Sequence, residues 1–115
     1  MTRRGPAAAL TVVLWTALSY SMSIGAAPPA RKPVTHTVVI EGTSFKPQVL
    51  TVAIGDLIAW TNKDSFSHTA TSSAGGFDSG GIAAGRVWKS KAAKKGDFAY
   101  ICTYHTTMQG RVIVR

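Results

Sequence analysis

The chain is short of cysteine and short of acid. One cysteine, Cys102, stands among 115 residues, and 5 Asp and Glu face 13 Lys and Arg. A single thiol cannot close an internal disulfide, and an iron–sulfur cluster needs more cysteines than this chain has. Cys102 is therefore a buried hydrophobe, a reactive group or a ligand. The shortage of acids leaves a formal net charge of +8, a balance that favours acidic partners or anionic membrane surfaces. Helical periodicity is also scarce. Beyond the first thirty residues no window sustains it, apart from a turn around GGIAAG (80–85). Internal repeats and low-complexity tracts are lacking, and the length allows one domain at most.

The amino-terminal stretch MTRRGPAAALTVVLWTALSYSMSIGAAPPA places two arginines before an apolar run softened by Ser and Thr, then closes on small residues and prolines. That is the pattern of a secretory signal, with cleavage expected near Gly25 to Ala27. An uncleaved anchor is the rival reading, because about 18 apolar residues can span a bilayer. A lipid anchor is excluded because Cys102 is the only cysteine. The pair Arg3-Arg4 is a weak match to a twin-arginine signal, since Pro6 stands where an apolar residue is expected. The expected organisation is a signal peptide at 1–27, a flexible proline-rich leader at 28–34 and a folded domain at 35–115, exported to the periplasm. Removal of 1–27 leaves 88 residues with eleven basic and five acidic side chains, a net charge of +6. A core this small is marginal without a disulfide, so a bound metal would add useful stability.

The remaining segments are short and punctuated by Gly, Pro, Asn, Asp and Ser. Strands are expected at 35–41, 48–54, 57–62, 68–72, 86–91, 98–102 and 110–115, most of them β-branched or aromatic-rich. Alternation puts Val52 with Ile54, Ile58 with Trp60, Phe98 with Tyr100 and Cys102, and Val112 with Val114 on shared faces. About seven short strands imply an all-β Greek-key β-sandwich. The lysines of KSKAAKKGD (89–97) are expected at a hairpin turn. They would lie at the pole opposite Cys102, because seven extended residues span roughly 23 Å. A solvated turn that discourages edge pairing accounts for them better than a docking patch.

CTYHTTM (102–108) holds the thiol, then His105, then Met108 at intervals of three. Taken singly, a buried cysteine is usually inert, a histidine usually hydrogen-bonded, and a methionine usually a gap-filler. Together they sit on one connecting loop between two strands and can turn toward a common centre. His68 of SFSHTAT is available as a fourth donor if the sandwich brings its loop alongside. Two imidazoles, a thiolate and a thioether suit copper, whereas structural zinc sites use Cys and His without thioether.

CTYHTTM also resembles the ligand loop of the cupredoxins, the type 1 blue copper proteins. Its Cys-x-x-His-x-x-Met spacing matches the short loop of amicyanin rather than the longer one of plastocyanin. FKPQVLTVAIGDLIAWTNKDSFSHT (45–69) is similar to the family stretch in which Phe-x-Pro, Gly-Asp and Trp-x-Asn-x-Asp lead to the first histidine ligand. The likeness covers residues 36–115.

The resemblance implies one copper, cycling between Cu(I) and Cu(II), held by His68, Cys102 and His105 with Met108 as the long axial ligand. It implies that Asn62 and Thr69 tie the two ligand loops together. His36 matches no ligand position and is expected to be exposed. Ser67 and Thr106 depart from the family, standing where proline often precedes the first histidine and follows the second. The function implied is a monomeric one-electron carrier. It would dock transient redox partner proteins near His105, Tyr104 and Thr106, with no nucleic acid and no stable membrane insertion of the mature form. No catalysis is expected, because the donors leave no open position. A protein that buffers or delivers copper is the alternative, and a Cys102–His105 nucleophile pair is the enzymatic rival.

Overall fold

A computed structural model of the chain describes residues 2–21, 25 and 31–115. Contacts divide the chain into two units, Met1–Ala30 and Arg31–Arg115. In the first unit the described residues form neither helix nor strand. Among the described residues no helix is long and apolar enough to cross a membrane. The expected cleavage zone lies largely outside the described residues.

The second unit is built from nine strands: β1 (Thr35–Ile40), β2 (Phe45–Lys46), β3 (Val49–Val52), β4 (Leu57–Asn62), β5 (Thr71–Ser72), β6 (Phe77–Asp78), β7 (Val87–Lys91), β8 (Gly96–Ile101) and β9 (Gln109–Val114). One sheet has the order β2-β1-β4-β7 and the other β3-β9-β8-β5-β6. The chain changes sheet after β2, β3, β4, β6 and β7, so most consecutive strands oppose each other across the core. The β1–β4 and β3–β9 pairs are parallel and the rest antiparallel. This is the all-β sandwich the strand pattern implies.

Alternate residues of each strand fill the space between the sheets, as a pleated strand requires. Val38, Ile40, Ile58 and Trp60 come from one sheet, and Phe98, Tyr100, Val112 and Val114 from the other. Trp60 sits at the centre, with Tyr100 edge-on at 5.7 Å and Trp88 tilted at 5.2 Å between ring centroids. Desolvation in this core pushes the Tyr100 phenol up to about 12.

Four expectations change. The strand expected at 68–72 shortens to β5, because His68 pairs only with Ile82, through two backbone hydrogen bonds. Ile54 lies beyond β3 and is 48 % exposed, so it does not share the buried face of Val52. The lysines at 89–97 do not occupy a hairpin turn. β7 and β8 belong to opposite sheets, and residues 92–95 cross between them. His36 is not free in solvent: its Nε2 lies 2.9 Å from Asp56 Oδ2, and its side chain is 26 % exposed.

Asp56 gathers the base of the sandwich. It accepts from Arg31 Nη2, from the Val34 and Ala53 amides and, through the same carboxylate, meets His36. Residues 31–34 of the expected leader are thereby joined to the domain. The adjoining Gly55 has φ +89°, a left-handed turn that glycine adopts without strain. The Val34 amide first, and then His36, hold the Asp56 carboxyl well below the usual range, against the opposing effect of burial. A carboxyl depressed in the folded state contributes stability above its unfolded value near 4, and loses it as pH falls toward the folded value. Asp56→Ala should therefore lower the melting temperature clearly at pH 7. Its deficit relative to wild type should shrink as pH is taken below about 4. Parallel thermal melts across that range check this.

Candidate metal centre

The end of β8 sets the first donor. Phe98, Tyr100 and Cys102 alternate inward, and Cys102, one residue past the strand, is fully buried. The chain then turns over seven residues and returns as β9. Two backbone hydrogen bonds shape the turn: Cys102 N–H donates to the Met108 carbonyl (3.0 Å), and Met108 N–H to the His105 carbonyl (2.8 Å). They draw Cys102 and Met108 together at the neck, both buried, while His105 caps the loop in a half-buried position. Tyr104, Thr106 and Thr107 face solvent.

His68 arrives from the other half of the chain. Its backbone is clamped to Ile82, and its side chain is fully buried. His68 Nδ1 lies 3.7 Å from Cys102 Sγ, and His105 Nδ1 lies 3.8 Å from the same sulfur. The three donor atoms all fall within 4.8 Å of one another. Metal–nitrogen and metal–sulfur bonds of about 2.05 and 2.3 Å at a trigonal angle separate the donors by about 3.8 Å. The spacing thus fits one ion bound by all three side chains.

The surroundings suit a thiolate and two oriented imidazoles. The Thr69 amide donates to Cys102 Sγ at 3.3 Å and so holds the sulfur beside the His68 loop. The Thr69 hydroxyl accepts from the Thr103 amide at 2.8 Å, linking the loop of His68 to the loop of Cys102. Thr69 thus joins the two ligand loops, as the resemblance implied. Asn62 does something different. It is fully buried in β4 and donates to the Phe66 and Ile82 carbonyls, while its oxygen accepts from the Asp64 amide. It shapes the His68 loop alone.

Two residues with roles here carried no assignment from the sequence. Asp64 Oδ2 lies 2.8 Å from His68 Nε2, and the same carboxylate accepts from the Gly42 and Thr43 amides of the β1–β2 turn. The Thr43 amide is the main cause of an Asp64 carboxyl held below the usual range. A carboxylate on the far nitrogen fixes the tautomer that leaves Nδ1 free to ligate. Its spacing of four residues before the histidine was a readable signal. Phe66 is 45 % exposed, yet its ring lies 4.8 Å from His68 and 5.6 Å from His105 between centroids. It covers the imidazole pair from the solvent side, and nothing in sequence periodicity marks it, because it sits on a loop.

The chain matches the cupredoxin-like domain over residues 7–114 and belongs to that family. Comparison with curated protein sequences found no match. Among solved structures it is similar to a copper-containing nitrite reductase of Thermus scotoductus SA-01, with TM-score 0.66 and 28 % identity. That match covers 81 % of this chain but only 24 % of the reductase, so the chain corresponds to about a quarter of it. A purple cupredoxin from Nitrosopumilus maritimus matches with TM-score 0.64 and 25 % identity, over 69 % of this chain and 98 % of that one. An amicyanin variant in its Cu(I) form shares the fold at TM-score 0.64 and 21 % identity, over 75 % of this chain and 85 % of that one. The small-cupredoxin architecture that the resemblance implied is therefore the one the chain adopts, and His68, Cys102, His105 and Met108 are its candidate copper ligands.

Proposed function

We propose that this protein is a type 1 copper protein that carries single electrons between partner proteins in the periplasm, as a monomer. The reading rests most heavily on one observation: a thiol and two imidazole nitrogens at ligand spacing, with two of the three side chains fully buried. His68, Cys102 and His105 would bind the copper, with the Met108 thioether as a further, weaker donor. When bound, copper supplies a one-electron couple between Cu(I) and Cu(II). The protein's part is to hold the ligands so that little moves as the charge changes. The Asp64 bond on His68, the Thr69 amide on Cys102 and the two loop-closing backbone bonds each restrain one donor.

His105 is the ligand nearest solvent, flanked by exposed Phe66 and Tyr104. An exposed aromatic rim suits brief contacts, in which water is displaced but few charges must be desolvated. Placing a charge there should slow electron transfer: Tyr104→Lys is expected to reduce self-exchange roughly tenfold, through like-charge repulsion on an already basic protein. NMR line broadening in mixed Cu(I) and Cu(II) samples reads that rate.

Copper delivery is the competing role, and reversible voltammetry tests the choice. A carrier gives a reversible one-electron couple and keeps its copper through repeated cycles. Irreversible waves with rapid loss of copper to a chelator would assign storage or delivery instead. A Cys102 nucleophile is disfavoured by burial, since the sulfur has no open path to substrate.

A further inference from the structure

The sandwich fails to close at one side, far from the ligand loops. β7 is the edge of its sheet, and pairing with Ile58 and Trp60 turns Ser90 and Trp88 inward. Ala92 follows just past the strand. The opposite sheet ends in β6, which is two residues long. A five-residue edge strand whose inward side narrows from Trp88 to Ser90, followed by buried Ala92, therefore overhangs a sheet that stops short. The gap is a cavity of about 170 Å³. Trp60, Phe77 and Phe98 contribute aromatic walls, and exposed Lys91 and Lys94 belong to its lining. Phe98 and Val114, which also line it, lie on the halves of β8 and β9 remote from residues 102–108.

We propose that this cavity binds a small amphipathic anion: one aromatic ring, or an alkyl group of similar bulk, carrying a carboxylate. Size sets the first limit. An apolar cavity of about 150 Å³ is known to admit benzene, so this one holds a single ring and little more. Three aromatic side chains offer the offset and edge contacts a ring prefers. Charge sets the second limit. Neither Lys91 nor Lys94 forms an ion pair among the described residues. Of the domain's acids, Asp56, Asp64 and Asp97 are already engaged by Arg31 and His36, by His68 and by Arg111. The lysines are thus available to a carboxylate at the opening, and Ser90 supplies a hydroxyl within the wall.

The test is a titration of the ¹⁵N-labelled full-length protein, in its reduced diamagnetic state, with phenylacetate. The reporter is the indole N–H resonance of Trp60, a buried residue that lines the cavity. Saturable shifts with a Kd on the order of 1 mM or below are expected. Acetate should leave the resonance in place, and neutral 2-phenylethanol should bind at least about tenfold more weakly. Lys94→Glu, an exposed change, should weaken phenylacetate about tenfold without altering 2-phenylethanol. Ser90→Leu should fill the space and abolish binding. Shifts that never saturate up to about 20 mM, a limit well above the affinity expected for a ten-atom ligand, would overturn the site. Equal binding of the neutral alcohol, or indifference to Lys94→Glu, would overturn the anion.

Discussion

Asp64→Ala is expected to weaken copper binding by about 10- to 100-fold, the usual loss when a ligating histidine is deprived of its outer hydrogen-bond partner. The physical reason lies in what the carboxylate does at once. It meets His68 Nε2 and accepts from two backbone amides of the β1–β2 turn. Removing it frees the imidazole to rotate and to take the wrong tautomer. It also releases the Gly42 and Thr43 amides, which are exposed and can take water instead, so the metal-free protein should lose only about 1 kcal/mol. Competition against a chelator reads the first effect, and denaturant unfolding of the metal-free protein reads the second. Asp64→Asn separates them in part, because its one amide oxygen can accept from only one of the two turn amides, which use different carboxylate oxygens, and it presents no charge to His68. It should recover part of the stability and part of the affinity.

Gly110→Ala is expected to destabilise the fold by about 3 kcal/mol, the upper end of the usual cost of forcing atoms into a packed core. Gly110 of β9 lies directly opposite Tyr100 of β8, and the tyrosine ring folds over it. A methyl group there would lie 2.5 Å from the Tyr100 Oη and 2.7 Å from Cε1, well inside contact distance. Tyr100 cannot yield cheaply. It is 1 % exposed and packed against Phe45, Trp60 and Phe77. Because Cys102 is two residues from Tyr100 and Met108 two from Gly110, displacement of either strand would also disturb the neck of the ligand loop. A loss of stability in the metal-free protein, with further loss of copper affinity, is the expected pair of results. Tyr100→Phe/Gly110→Ala should recover little, since the ring carbon remains in the way.

Much of this was legible because the relevant chemistry is local. Cys102, His105 and Met108 lie within one seven-residue loop, so their convergence follows from a tight turn between two strands. His68 is more than thirty residues away, and only the ordered run from Phe45 to Thr69 tied it to the same site through family resemblance. The buried parity of Phe98, Tyr100 and Cys102 followed from alternation alone. What escaped depended on which segments meet. The lysines at 89–97 read as a hairpin because two strands flank a short turn, yet consecutive strands can pair or oppose each other equally well. His36 looked solvent-facing because nothing in its strand announces that Asp56, twenty residues later, turns back beneath it. Asn62 was correctly placed near the site, but its amide could have reached either ligand loop, and only the backbone path around Phe66 and Ile82 decides.

Addition of Cu(II) to the metal-free protein, followed by its visible spectrum, probes the proposed centre most directly. An intense thiolate-to-copper band with one equivalent bound, lost in Cys102→Ser and in His68→Ala, is the outcome these side chains demand. A colourless protein that takes zinc in preference, or a band that survives without the imidazole at position 68, would mean that the two loops do not share an ion.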